Sequence, residues 1–271
     1  MNLKAQNRLD DAEPLLRAAV EGNERIFGSE HPHFADSLNN LGYLLMAKRR
    51  PDEAAITFQR ALEIQKKVHG PDHPHTQITA SNFGLCLFFH GKYSEAEKIF
   101  RRVLEIKQRV VPDDHASLAN TLNNLGFAIY SQRRLEEAES FYRQALTLRE
   151  ACLDGNHPEL GNSLGNLGLV LHETGRYAEA EILFLRELKI REQQIPASET
   201  LTALAMNNVA AAQYHVGKAE DAEKILKRHV EYCRSHFGEE NELTKAAVVN
   251  LSNVQARRKV QPPKSPQPET L

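Results

Sequence analysis

The chain has 271 residues, enough for a substantial core or for two ordinary domains. Charged residues make up 26% and the formal net charge is −2, which argues against a nucleic-acid surface or an acidic tail. Aromatic residues are 7% of the chain, Trp is absent, and Ala and Leu recur throughout, a balance that suits a mostly helical protein. No apolar run approaches the ~20 residues of a membrane span, and the N-terminal MNLKAQNRLDDAEP lacks a signal-peptide core. Cys86, Cys152 and Cys233 are far apart without metal spacing; an odd count without a secretion signal reads as reduced thiols in a cytoplasmic protein.

Two columns in step organise the chain. Gly42, Gly84, Gly126, Gly168 and Ala210 follow one another at 42 residues, and so do Ala12, Ala54, Ala96, Ala138, Ala180 and Ala222. Residues 1–33 come first. By phase, residues 1 to 6 match only the last turn of a first helix, and Arg8 to Phe27 form a second helix without its mate. Leu9, Ala12, Leu16 and Ala19 would then be partly open. This implies either a fragment of a longer array or an end covered by another copy or a partner, so self-association through this end is one expectation.

Residues 34–243 hold five full repeats, each reading as two helices. In the third, Leu118, Leu122, Leu125 and Ile129 recur at 4, 3 and 4, one apolar stripe of a 3.6-residue helix. A polar break, Gln132-Arg133-Arg134, separates them from Ala138, Phe141, Ala145 and Leu148, a second stripe at 3, 4 and 3. Gly126 and Ala138 mark the expected close approach of the two helices. Sustained alternation and Asn-Gly hairpins are absent. One pair cannot bury its apolar face alone, so stacked neighbours must supply the core: an all-α chain, an α-solenoid of antiparallel helix pairs. Glu30-His31-Pro32, Asp72-His73-Pro74 and Asn156-His157-Pro158 stand in phase before first helices, a polar residue followed by Pro being a helix-start signal. Asp113-Asp114-His115 keeps the place with Ala116 for Pro, and Ala197-Ser198-Glu199 loses His-Pro altogether. Residues 244–259 read as a C-terminal capping helix, with Ala246, Val249 and Leu251 apolar and Arg257-Arg258-Lys259 where cations are favoured. Residues 260–271, with Pro262, Pro263, Pro266 and Pro268, cannot continue a helix and read as a disordered tail.

Leu41-Gly42, Ala54, Phe58 and Ala61 match the tetratricopeptide pattern, and the 42-residue length, the His-Pro loop and the phrases GKYSEAEKIF and GRYAEAEILF resemble the kinesin-light-chain kind of tetratricopeptide array. The resemblance covers roughly residues 3 to 258. It implies a right-handed superhelix whose first helices line a concave groove that holds an extended peptide or a partner helix. Carried over by phase, the implied groove positions form three rows. The first is Asn39, Ser81, Asn123, Gly165 and Asn207; the second Tyr43, Leu85, Phe127, Leu169 and Ala211; the third Met46, Phe88, Tyr130, His172 and Tyr214.

The first row offers amides able to bond a peptide backbone, and the other two offer aromatic and apolar surface for anchor residues. No row repeats Lys or Arg, so a carboxylate clamp is not supported. A neighbouring column, Asn40, Asn82, Asn124, Asn166, Asn208 and Asn250, is Asn in all six copies and suits a structural tie between helices. His31, His73, His115 and His157 are one repeat apart, too far to share a zinc, and read as structural. No Ser-His-Asp grouping, phosphate loop or carboxylate pair stands out, so no catalytic, metal or cofactor residue is assigned. Basic residues gather at the turn within each repeat (Arg49-Arg50, Lys92, Arg133-Arg134, Arg176, Lys218) and acidic ones at the turn between repeats, which predicts two oppositely charged rims. The expected function is a non-enzymatic protein-interaction scaffold with a peptide or protein partner, with no nucleic acid and no membrane. The alternative is a peptide-sensing module that switches a partner by changing superhelical pitch.

Overall fold

The computed structural model describes residues 3–194 and 198–260. Among these there are twelve α-helices and no strand. A long α1 (Leu3–Phe27) is followed by five pairs: α2 (Pro32–Ala47) with α3 (Pro51–His69), α4 (Pro74–Phe89) with α5 (Tyr93–Val110), α6 (His115–Tyr130) with α7 (Leu135–Cys152), α8 (Pro158–Glu173) with α9 (Tyr177–Gln193), and α10 (Glu199–Val216) with α11 (Ala219–Phe237). α12 (Glu242–Val260) ends the described chain. The helices form two compact units, Met1–Leu148 and Arg149–Leu271, the boundary falling in the last turn of α7. Within each unit, helices consecutive in sequence pack on one another, as an α-solenoid requires.

The core of each pair is a glycine under a ring. A Cβ on Gly42, Gly84, Gly126 or Gly168 would lie 2.9, 2.7, 2.6 or 2.5 Å from the Cε1 atom of Phe58, Phe100, Tyr142 or Phe184, so only glycine admits these rings. All four rings are buried. In the fifth pair Ala210 replaces the glycine and Leu226 the ring, and both lie in one apolar cluster. The expected stripe Leu118, Leu122, Leu125 and Ile129 is buried. The second stripe needs a correction: Ala138 and Ala145 are buried, but the core ring of α7 is Tyr142, while Phe141 is half-buried beneath Arg101, whose Cζ lies 5.5 Å from the ring centroid. At Gly126 the nearest atoms of α7 are those of this ring.

Helix ends follow local chemistry. His31, His73 and His157 are N-caps whose Nδ1 atoms accept from the backbone N–H of His33, His75 and Glu159 at 3.2 Å, with Pro in the first turn. Without the proline, the third repeat moves its cap one residue back: Asp114 accepts from Ser117 N–H at 3.0 Å. The turn within each repeat passes through a left-handed residue, filled by Gly91, Gly175 and Gly217 but by Arg49 (φ 58) and Arg133 (φ 64) in the other two.

Both ends differ from the phase reading. Residues 3–6 are not the remnant of a separate helix, because α1 runs unbroken from Leu3 to Phe27; position 7 is Asn where three repeats place a turn glycine. On α1, Leu9, Ala12, Leu16 and Val20 pack against the cluster of Leu41, Leu45 and Phe58, whereas Ala19 is exposed beside Leu15 and Ile26, which are 72% and 67% exposed. α12 begins at Glu242, capped by Asn241; Thr244, Ala247 and Val254 are buried and Leu251 packs on the neighbouring clusters, while Ala246 and Val249 face outward. The tail at 261–271 and Ala197 of the fifth loop lie outside the described residues.

Candidate functional site

In the unit Met1–Leu148, the outward stripe of each first helix recurs at spacings of 4, 3 and 4. It is Asp36, Asn40, Tyr43 and Ala47 on α2, then Ile78, Asn82, Leu85 and Phe89 on α4. On α6 it is Asn120, Asn124 and Phe127, with Ser131 just beyond the helix. Tyr43 and Phe89 are 66% and 69% exposed. Both rings open onto a cavity of about 750 Å³, with Met46, Ala47, Arg49, Pro51, Phe58, Asn82 and Leu85 as its other walls. This cavity is largely apolar, with one amide, Asn82, and one guanidinium, Arg49, in its wall, and its volume falls in the range of ligand pockets. In the unit Arg149–Leu271 a smaller cavity of about 360 Å³ lies between α10 and α12, lined by Asn207, Tyr214, His215, Asn250 and Arg257 among others.

The rows proposed from sequence distribute unequally. Tyr43, Met46 and Leu85 meet in the larger cavity and Asn207 and Tyr214 in the smaller one. Leu169 is exposed on α8. Phe127 is half-buried, its ring 5.9 Å from both Phe88 and Tyr142. Phe88 faces Tyr93 at 5.4 Å, and His172 faces Tyr177 at 5.0 Å and His215 at 5.1 Å, so these third-row residues sit against the turn to the second helix. Burial, with His215 adding to it, holds the His172 imidazole below its ordinary pKa. Tyr130 is half-buried at the same place on α6.

The first row lies deeper. Asn123 is 8% exposed, and Ser81 turns its hydroxyl to the Gln77 carbonyl of its own helix at 2.8 Å. Asn39 Oδ1 accepts from Asn82 Nδ2 at 3.0 Å, and Asn207 Oδ1 from Asn250 Nδ2 at 2.7 Å. Two members of the all-Asn column, Asn82 and Asn250, thus tie one helix to the next, and Asn82 does so while standing on the outward stripe itself. At Gly165 the missing side chain is replaced by the Glu187 carboxyl, since a Cβ there would lie 2.7 Å from Oε2. That carboxyl is buried; Arg191 Nη2 approaches Oε1 at 3.4 Å and Oε2 has no partner, and burial pushes its pKa up to about 7.

Several of the basic turn residues are paired. Glu13 of α1 meets Lys48 at 2.6 Å, Arg50 at 2.7 Å and Arg17 at 2.8 Å, which hold its pKa down at about 2. Glu97 of α5 accepts from Gln132 and Arg134, both at 2.7 Å, and Glu181 of α9 pairs with Lys218 at 2.7 Å. Glu13, Glu97 and Glu181, in phase on α1, α5 and α9, thus offset the basic turns that follow, whereas α3 has Ala55 at that place. Phe89 and Asn82 line the larger cavity but lie outside the three rows carried over by phase, although with Ile78 and Leu85 they form a helical stripe. Among the described residues no three His, Cys, Asp or Glu side chains are placed to hold a metal, and no helix is long and apolar enough to cross a membrane.

Tetratricopeptide repeat models match residues 33–109 and 117–193, and a second model of the same repeat matches 1–33 and 202–242. The chain belongs to the tetratricopeptide repeat family. No curated protein sequence matches it. Its fold is similar to that of the nearly identical repeats of a putative kinesin light chain from Podosopora anserina, at 19% identity and TM-score 0.66, over 76% of this chain and 97% of that one. It is also similar to BtubC (BKLC) from P. vanneervenii, at 16% identity and TM-score 0.67, over 97% of each chain. A third likeness is to a signal transduction ATPase with a tetratricopeptide repeat sensor from Pyrococcus horikoshii, at 18% identity and TM-score 0.71, over 94% of this chain and 36% of that one. These likenesses are of fold, which is shared with tetratricopeptide arrays such as the kinesin light chain repeats. Tetratricopeptide repeats generally mediate protein–protein interaction, and their fold is typically a non-enzymatic scaffold.

Proposed function

We propose that this protein is an interaction scaffold whose first-helix groove binds an extended peptide of a protein partner, anchored by apolar side chains in the Tyr43–Phe89 cavity. The observation that carries this reading is the exposure of those two rings over a 750 Å³ apolar cavity beside Asn82. Large rings left in water and converging on a concavity are the usual anchor of an interface. Its three free cysteines, two of them buried, fit a reducing, cytoplasmic setting.

Peptides selected by display against the protein should lose at least about ten-fold in affinity on Tyr43→Ala with Phe89→Ala, as removal of anchor residues worth ~1.4 kcal/mol or more requires. Circular dichroism should report unchanged helicity. Undiminished binding would sink the assignment. The sensor in the Pyrococcus protein raises a second reading, a peptide-driven change of pitch. Small-angle scattering separates the two, because a passive scaffold keeps its envelope when the selected peptide is added.

A further inference from the structure

Resting on the groove reading above, we infer that the ligand of the Met1–Leu148 groove is a proline-rich segment of another protein, bound as a polyproline II helix. The argument is one of period. Asn40, Asn82 and Asn124 occupy the same place on α2, α4 and α6, each followed one turn later by Tyr43, Leu85 or Phe127. Neighbouring packed helices lie ~8–10 Å apart, and the Asn39–Asn82 bond of 3.0 Å shows that α2 and α4 are such neighbours.

A peptide crossing all three helices must present the same face at that interval. Polyproline II does so, since three residues per turn at ~3.1 Å rise return the same face after about 9 Å. A β-strand repeats its face at about 6.6 or 13.2 Å and falls out of step, and an α-helix returns its face only after two turns, about 10.8 Å, beyond the interval, whereas one polyproline II turn falls within it.

The side chains agree with the period. Polyproline II makes no internal hydrogen bonds and leaves its carbonyls open, and proline has no N–H to donate. The groove must then supply donors, which the amides do. Asn82 spends one Nδ2 hydrogen on Asn39 and has another left. Proline rings dock on aromatic-lined grooves, and Tyr43 and Phe89 are the most exposed Phe and Tyr rings among the described residues. The stripe carries a single carboxylate, Asp36, and a single guanidinium, Arg49, stands at the cavity wall, so a near-neutral peptide is the match.

The test uses the full chain and three labelled peptides of about 12 residues: a Pro-Pro-Leu repeat, a Pro-Leu repeat of the wrong period, and a flexible Gly-Gly-Leu repeat. Fluorescence anisotropy should find the first binding at least ten-fold tighter than the other two. Its affinity should fall on Tyr43→Ala, on Phe89→Ala and on the pair Asn40→Ala with Asn124→Ala, which leaves the Asn39–Asn82 tie in place. Circular dichroism checks the fold of each variant. Equal binding of the three peptides overturns the inference. So does selection of proline-free peptides that depend on Tyr43 and Phe89, an outcome that would leave the scaffold reading standing. If no peptide of any kind binds, both fall. Tighter binding of Pro-Pro-Leu after removal of residues 261–271 would overturn the external partner in favour of the chain's own prolines.

Discussion

The pairing of glycine with a ring inside each repeat can be tested by rebuilding the fifth repeat's solution in the fourth. In Gly168→Ala the new Cβ would lie 2.5 Å from Phe184 Cε1 and 2.8 Å from Cδ1, so the ring must retreat by about 1 Å in a packed core. Overpacking of this kind costs ~1–3 kcal/mol. Replacing glycine inside a helix returns about 1 kcal/mol of propensity, so the single variant should lose ~0–2 kcal/mol. Phe184→Leu removes about three buried carbons, worth ~2 kcal/mol. In the double variant the clash disappears while the helix gain persists, leaving it only ~1 kcal/mol below the natural chain, as Ala210 with Leu226 already demonstrates to be a workable pair. The coupling is then ~1–3 kcal/mol in favour of the double variant. Urea denaturation followed by circular dichroism on the four proteins measures it. If the two single losses add within ~0.5 kcal/mol, the close approach does not govern this core.

Three further outcomes follow from other parts of the molecule. Arg49→Gly should raise stability by ~0.5–1 kcal/mol, since a left-handed φ of 58 strains any residue with a Cβ and three sister turns use glycine; a thermal melt reads it, and a loss would refute the strain. Glu187 has a folded-state pKa raised by burial to about 7 from an ordinary 4.5, so the folded state holds a proton that the unfolded chain has released. Stability should therefore fall as pH rises from about 4.5 through about 7, and Glu187→Gln should flatten that slope in denaturation at several pH values. Finally, Cys152 is exposed while Cys86 and Cys233 are buried, with burial pushing the Cys86 thiol up to about 11. Native-state alkylation read by mass spectrometry should label Cys152 first and leave the other two until the chain unfolds.

The architecture was open to reading because its signals repeat: a glycine every 42 residues, with an apolar stripe on each helix, leaves little choice of fold. The site was harder for a reason that Phe88 and Phe89 illustrate. Both are phenylalanines at the end of α4, yet one packs on Tyr93 and Phe127 and the other stands in water over the cavity. One residue is 100° on a helix, so a row displaced by one position exchanges cavity wall for flank without any change in composition. Apolar character cannot separate the two, because core and groove ask for the same residues. The all-Asn column shows the complementary ambiguity. Uniformity suggested a structural tie, and Asn82 and Asn250 make such ties, but the amide has more hydrogen-bonding capacity than one bond consumes. A side chain can hold two helices together and still face a ligand, so a structural role and a binding role at Asn82 do not compete; the tie instead fixes the amide in the orientation in which a ligand would meet it.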